Sequence, residues 1–211
     1  MDLRKDSSAK RVRMTPENRR AQLIAAARKI FVSEGYVALS LRGIAVACGV
    51  RLSTVQHHFD GRAALIDAMV GAIIAECMEI YGCYRHAAGM TPDERLRATI
   101  AVMIGQNEDP QTALLFPELW ALAEREPVAA EAVDRLYGHG RELIADLICA
   151  ARPKLSAQHA DHTAQLVMAL ADGLLISSGT RCGRSRSTPE QRNRFIDAAM
   201  GLAYGGDMQV G

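Results

Sequence analysis

The feature that most narrows the fold is a recurring helix start. Thr15-Pro16-Glu17, Thr91-Pro92-Asp93-Glu94 and Thr188-Pro189-Glu190-Gln191 each set a hydroxyl cap before a first-turn proline, with an acid near the positive end of the helix dipole. Asp109-Pro110 is a further cap and start. Aromatic residues make up only 5% of the chain, and Val, Thr, Tyr and Phe form no alternating runs, so helices rather than sheets are expected throughout. With 211 residues and 49% hydrophobic content, the chain can fill the core of one large domain or two smaller ones.

Stop signals complete the outline. A first helix runs from Thr15 to Glu34 and stops at Gly35, with Leu23, Ile24, Ala27, Ile30 and Phe31 on one stripe. Ser40 caps a second helix over 41–48, and Gly49 ends it in the left-handed conformation. A short third helix follows over 52–58, and Asp60 is placed to cap a fourth that begins near Arg62. Beyond the starts at Thr91 and Asp109, Pro117 and Pro127 divide the chain, which predicts helices over roughly 118–125 and 128–151. Ser156 opens a helix to about Ser177, residues 179–187 read as a loop, and the last helix ends near Gly205.

Charge separates the two ends of the chain. Residues 1–62 hold 12 Lys+Arg against 5 Asp+Glu, and the remainder holds 13 against 19, so a head of +7 sits on a body of −6. A basic head points to a polyanion such as DNA. Residues 1–14 are expected to form a flexible basic arm. That N-terminus has no apolar region resembling a secretory signal, and no run of about 18 apolar residues occurs, so a cytoplasmic protein is expected. Five scattered cysteines without a CxxC pair fit reduced thiols.

The segment LRGIAVACGVRLSTVQHHF, residues 41–59, has helix-turn-helix spacing. Ala45 is small where the two helices cross, Gly49 makes the turn, and Ile44, Val50, Val55 and Phe59 supply the contacts between them. Arg51, Leu52, Ser53, Thr54, Gln56, His57 and His58 are left near or on the outer face of the short helix, the geometry of a major-groove reader. Arg42 is a phosphate contact or a solvated charge.

Residues 19–65, with the Ala-rich helix ending at Phe31, the Glu34-Gly35-Tyr36 exit, Ile44-Ala45, Gly49-Val50, Thr54 and His58-Phe59, resemble the DNA-binding domain of the tetracycline-repressor (TetR) family. The resemblance implies an all-α chain. A three-helix helix-turn-helix domain over 15–61 would be followed by a helical ligand-binding and dimerisation domain over 62–211. It further implies a homodimer on a palindromic operator of double-stranded DNA, released when a small-molecule effector enters the C-terminal domain. Thr54 matches a recognition-helix residue that touches base or phosphate. Arg51, Leu52 and Ser53 stand where base-reading residues vary between members, and His58 matches a frequent phosphate contact. Arg62 stands where the family usually has lysine, and Gln56 where it commonly has tyrosine. His57 is left to the DNA backbone or to water.

In the C-terminal half, FPELWALAEREP, ALADGLLI and RNRFIDAAMGLAYG look like segments of TetR-like ligand domains. That pattern pairs the last two long helices with a second subunit. Leu166, Ala169, Leu170, Gly173 and Leu174 form one candidate stripe, and Phe195, Ala198, Ala199 and Leu202 a second, with an intramolecular core as the alternative. Candidates for an effector pocket are Tyr81, Tyr84, Met103, Gln106, Phe116, Trp120 and Tyr137, the alternative being ordinary core.

Cys83/His86 and His159/His162 are each three apart and would share a helix face, but no third or fourth metal ligand accompanies them. Cys77 or Cys182 could sense oxidants. A metal- or redox-responsive regulator and an activator are therefore the alternatives to a ligand-released repressor. No GxSxG, GxxxxGK or HExxH motif is present, so neither an enzyme nor a bound cofactor is expected.

Overall fold

The computed structural model describes residues 14–177 and 187–205. The basic arm before Met14, the reading of a loop at 179–187 and Cys182 therefore lie outside the described residues, save for Met14 and Ser187 at their edges. Within them the chain forms nine α-helices: α1 Pro16–Glu34, α2 Leu41–Cys48, α3 Leu52–His58, α4 Arg62–Gly82, α5 Pro92–Asn107, α6 Pro110–Ala123, α7 Pro127–Ala151, α8 Ala157–Ser177 and α9 Pro189–Tyr204.

The helix starts act as their chemistry requires. The Thr15 hydroxyl accepts from the Asn18 amide, Ser40 from Gly43, and Asp109 Oδ2 from Thr112. Thr91 with Glu94 and Thr188 with Gln191 form complete capping boxes. Gly35 (φ 78°) and Gly49 (φ 63°) take the positive φ values expected at the ends of α1 and α2.

Two expectations are corrected. Asp60 does not cap α4. The residue directly before the helix is Gly61, which has no side chain to cap with, so the carboxylate of Asp60 stands one position too early for the first-turn amides. Nor does Pro117 divide the chain, because α6 runs continuously through it. An interior proline costs about 3 kcal/mol. Leu115, Phe116, Leu119 and Leu122, all at most 7% exposed on that helix, each return roughly 1.5–3 kcal/mol on burial. Packing outweighs the local break.

Two apolar cores result. The first joins Leu23, Ala27 and Phe31 of α1 to Ile44 of α2, Val55 of α3, the first half of α4, the inner face of α6 and the start of α7. The second joins Tyr81, α5, the later part of α7, α8 and α9 through residues such as Leu96, Ile144, Val167 and Ile196. Cys77 and Met78 of α4 pack against both. No helix among the described residues is long and apolar enough to cross a membrane.

Candidate nucleic-acid interface and effector cavity

The turn between α2 and α3 is built by backbone bonds. Gly49 N–H donates to the Val46 carbonyl at 3.1 Å and Val50 N–H to Ala45 at 3.0 Å, which sends α3 off at an angle. Val55 is fully buried and Phe59 is 2% exposed, so α3 is held by its inner face. Arg42, Arg51, Ser53, Gln56 and His57 are exposed, whereas Leu52, Thr54 and His58 are half-buried at its margins. The His57 and His58 rings meet edge-on with centroids 5.4 Å apart.

Arg62 has a second attachment. Its guanidinium lies 3.9 Å from the centre of the Tyr36 ring and donates from Nη2 to the Tyr36 carbonyl at 2.8 Å, while Nε is buried without a hydrogen bond. The Tyr36 hydroxyl donates to Glu126. Arg62 and Tyr36 therefore bind together the α1 exit, the α4 start and the α6–α7 junction. The hydrogen bond to the Glu126 carboxylate, ahead of burial, holds the Tyr36 phenol above its ordinary pKa.

Two adjoining spaces occupy the body. An inner cavity of about 30 Å³ is lined by Met78, Tyr81, Met103, Asn107, Phe116 and Leu136, and closed by Tyr137, Gly140, Met168, Ala171 and Asp172. An outer groove of about 400 Å³ lies between α7 and α8, and shares Tyr137, Met168 and Asp172 with the inner cavity. Gly140 leaves room for the Met168 side chain, since a Cβ there would stand 2.9 Å from Met168 Cε. Trp120 Nε1 donates to the Tyr137 hydroxyl at 3.0 Å, and that hydroxyl donates to Asp172 Oδ2 at 2.9 Å. Burial raises the carboxyl pKa of Asp172, only partly opposed by the Tyr137 bond. Burial, then the neighbouring carboxylate, pushes the Tyr137 phenol up.

Of the pocket candidates, Tyr81, Met103, Phe116 and Tyr137 line the inner cavity. Trp120 stands behind Tyr137, and Gln106 faces a separate cleft with Arg28 and Cys77. Tyr84 lines neither space. Asn107 and Asp172 escaped the sequence reading. Asp172 left a signal, a lone acid inside the apolar run ALADGLLI.

The candidate contact stripes divide by exposure. Leu166 (55%), Ala169, Gly173, Ala198 and Leu202 (39%) are exposed, and Leu170 and Phe195 are half-buried. Leu174 and Ala199 face the interior at 3% and 1%, because the inward face of α8 runs through Ala160, Ala164, Val167, Ala171 and Leu174. Leu174 is thus removed from the outer stripe, whose exposed face also includes Ile176.

Of the two metal pairs, His159 and His162 do lie three apart on α8, whereas Cys83 and His86 lack the assumed helical geometry. α4 ends at Gly82, so Cys83 and His86 lie in the turn beyond it rather than on a helix face, and His159 Nδ1 is 3.0 Å from Ser156 Oγ. Among the described residues no three or more His, Cys, Asp or Glu side chains converge as a metal site. Burial raises the Cys77 thiol pKa, which disfavours the reactive thiolate.

Residues 23–69 match the bacterial regulatory proteins of the tetR family, and residues 92–200 match the C-terminal domain of BetI-type transcriptional repressors. The HTH-type transcriptional regulator BetI of Rhizobium meliloti (strain 1021) is 28% identical over 168 residues, covering 79% of this chain and 80% of that protein. The HTH-type transcriptional repressor KstR2 of Rhodococcus jostii (strain RHA1) is 28% identical over 86 residues, 41% of this chain and 40% of that one. A transcriptional regulator from Pseudomonas aeruginosa PAO1 superposes with a TM-score of 0.80 at 26% identity, covering 92% of this chain and 94% of that one. The multidrug binding protein EbrR, solved in complex with imidazole, shares the fold with a TM-score of 0.59 at 18% identity, over 87% and 94% of the two chains. These families consist of regulators rather than enzymes. The chain belongs to the TetR family of DNA-binding transcriptional regulators, with a C-terminal domain of the BetI-type repressor class.

Proposed function

We propose that this chain is a cytoplasmic homodimeric repressor that holds a palindromic operator through a 15–61 head and lets go when a small molecule occupies its 62–211 body. The observation that carries this reading is the double role of α6. Phe116 on that helix lines the inner cavity, while Leu115, Leu119 and Leu122 pack in the core shared with α1, α2 and α3. A ligand that shifts α6 has differential affinity for two settings of the head, which is what release of DNA requires.

In this reading Arg51, Leu52, Ser53 and Thr54 read bases from the N-terminal half of α3, and Gln56, His57 and His58 meet the DNA backbone with Arg42. Arg62 acts first as a staple on Tyr36 and reaches phosphate only from that anchored position. The exposed faces of α8 and α9, with Leu166, Ala169, Gly173, Ala198 and Leu202, form the subunit contact, flanked by Leu170 and Phe195. The test is operator selection from random duplex DNA, followed by fluorescence anisotropy and light scattering on the same sample. A dimer bound to a symmetric site, with Leu202→Glu monomeric and impaired in binding, is the expected result. A monomer with full operator affinity would defeat the proposal.

A further inference from the structure

The inner cavity has an unusual polarity. Among its residues are one carboxylate, Asp172, and one amide, Asn107, and no lysine, arginine or histidine. Its donors are largely engaged: Trp120 Nε1 with the Tyr137 hydroxyl, that hydroxyl with Asp172 Oδ2, and Asn107 Nδ2 with the Ala171 carbonyl at 2.9 Å. Burial, then the neighbouring Cys77 thiol, pushes the Tyr81 phenol pKa up. The Oδ1 oxygens of Asp172 and Asn107 accept no hydrogen bond from any described residue. The nearest groove cation, Arg141, is paired with Asp161 at 3.1 Å. A site with acceptors in place and donors already used calls for a ligand that brings N–H groups and positive charge.

Size narrows the class. About 30 Å³ beside Asp172 and Asn107 admits one water-sized group, while the adjoining groove offers about 400 Å³ along Tyr137, Gly138 and Met168, with Ala169 on the edge it shares with the proposed subunit contact. An ammonium head is water-sized and a trimethylammonium head is not. We propose that the effector is a primary amine whose protonated nitrogen enters the inner cavity between Asp172 and Asn107 while its carbon body lies in the α7–α8 groove. This rests on the reading of the chain as a ligand-released repressor. Tyr137, common to both spaces, borders the path between them. Burial disfavours the Asp172 carboxylate, and a cation beside it favours the charged form.

The experiment is calorimetric titration of the full chain with phenethylamine, its N,N,N-trimethyl derivative, phenethyl alcohol and phenylacetate, repeated on Asp172→Asn. Asparagine keeps an acceptor for Tyr137 and removes the charge, and its melting curve verifies that the variant is folded. The expected result is binding of the primary amine, at least tenfold weaker binding of the trimethyl derivative, none of the alcohol or acid, and at least tenfold loss in Asp172→Asn. Equal binding of the trimethyl derivative, the alcohol or the acid, an unchanged affinity in Asp172→Asn, or no amine binding up to millimolar concentration would overturn the inference. Operator release is scored separately. Amine binding without release refutes only the release reading, and release by an anionic or neutral compound refutes only the amine.

Discussion

The head and the body treat polar chemistry in opposite ways. On α3 the groups that could read DNA point outward from a helix whose inner side is Val55, fully buried against an apolar core. In the body the informative polar groups point inward: Asn107 is 6% exposed, and Asp172 closes one side of the cavity. A DNA reader must be pre-formed and solvent-facing, so its stability and its function use different faces. A ligand site uses the same interior for both, so its polar groups weigh on stability until a partner arrives.

The largest expected effect breaks the head's side of that contrast. Phe31→Ala empties a fully buried site and should cost about 3–5 kcal/mol, read as a large fall in the denaturant midpoint together with loss of operator binding. Thr54→Ala should separate the two properties, lowering operator affinity by about 1–3 kcal/mol with an unchanged melting temperature. A drop in both would show that the α3 face also serves stability. Arg62→Ala is not a clean phosphate probe, because the side chain also staples Tyr36.

The body's side predicts a variant that gains stability. The folded carboxyl of Asp172 titrates above its unfolded value, so the charged form is disfavoured in the fold. The wild type is relieved of that cost below the unfolded pKa and bears it as pH rises through the folded pKa. Asp172→Asn should therefore be more stable than wild type at neutral pH by about 0.5–2 kcal/mol, with the advantage shrinking in acid. Denaturant melts at several pH values check the sign; a variant less stable at neutral pH would make Asp172 a structural group. The smallest effect sharpens the junction between the regions. Tyr36→Phe removes the donor to Glu126 and should lower the denaturant midpoint only slightly. It should also change how strongly a ligand in the body alters operator affinity, measured by titrating DNA with and without ligand.

Legibility follows the same division. Caps, first-turn prolines and the glycine at position 49 are local instructions, and α1, α2 and α3 begin and end where they direct. Asp60 misled because capping depends on a single residue of register. Pro117 misled because its local cost is outweighed by four buried side chains whose partners lie in other helices. Leu174 was assigned outward because small and apolar residues run around much of α8, and periodicity alone did not decide which stripe faces inside.

By itself the sequence determined the helical class, nearly every helix start and the outward face of the short helix at 52–58, because each depends on residues within one or two turns of each other. Only the tertiary structure decided the cavity, the inward face of α8 and the staple between Arg62, Tyr36 and Glu126. These join residues such as Met78, Asn107, Tyr137 and Asp172 across α4, α5, α7 and α8. Such meetings are set by the summed packing of many side chains, which no local pattern encodes.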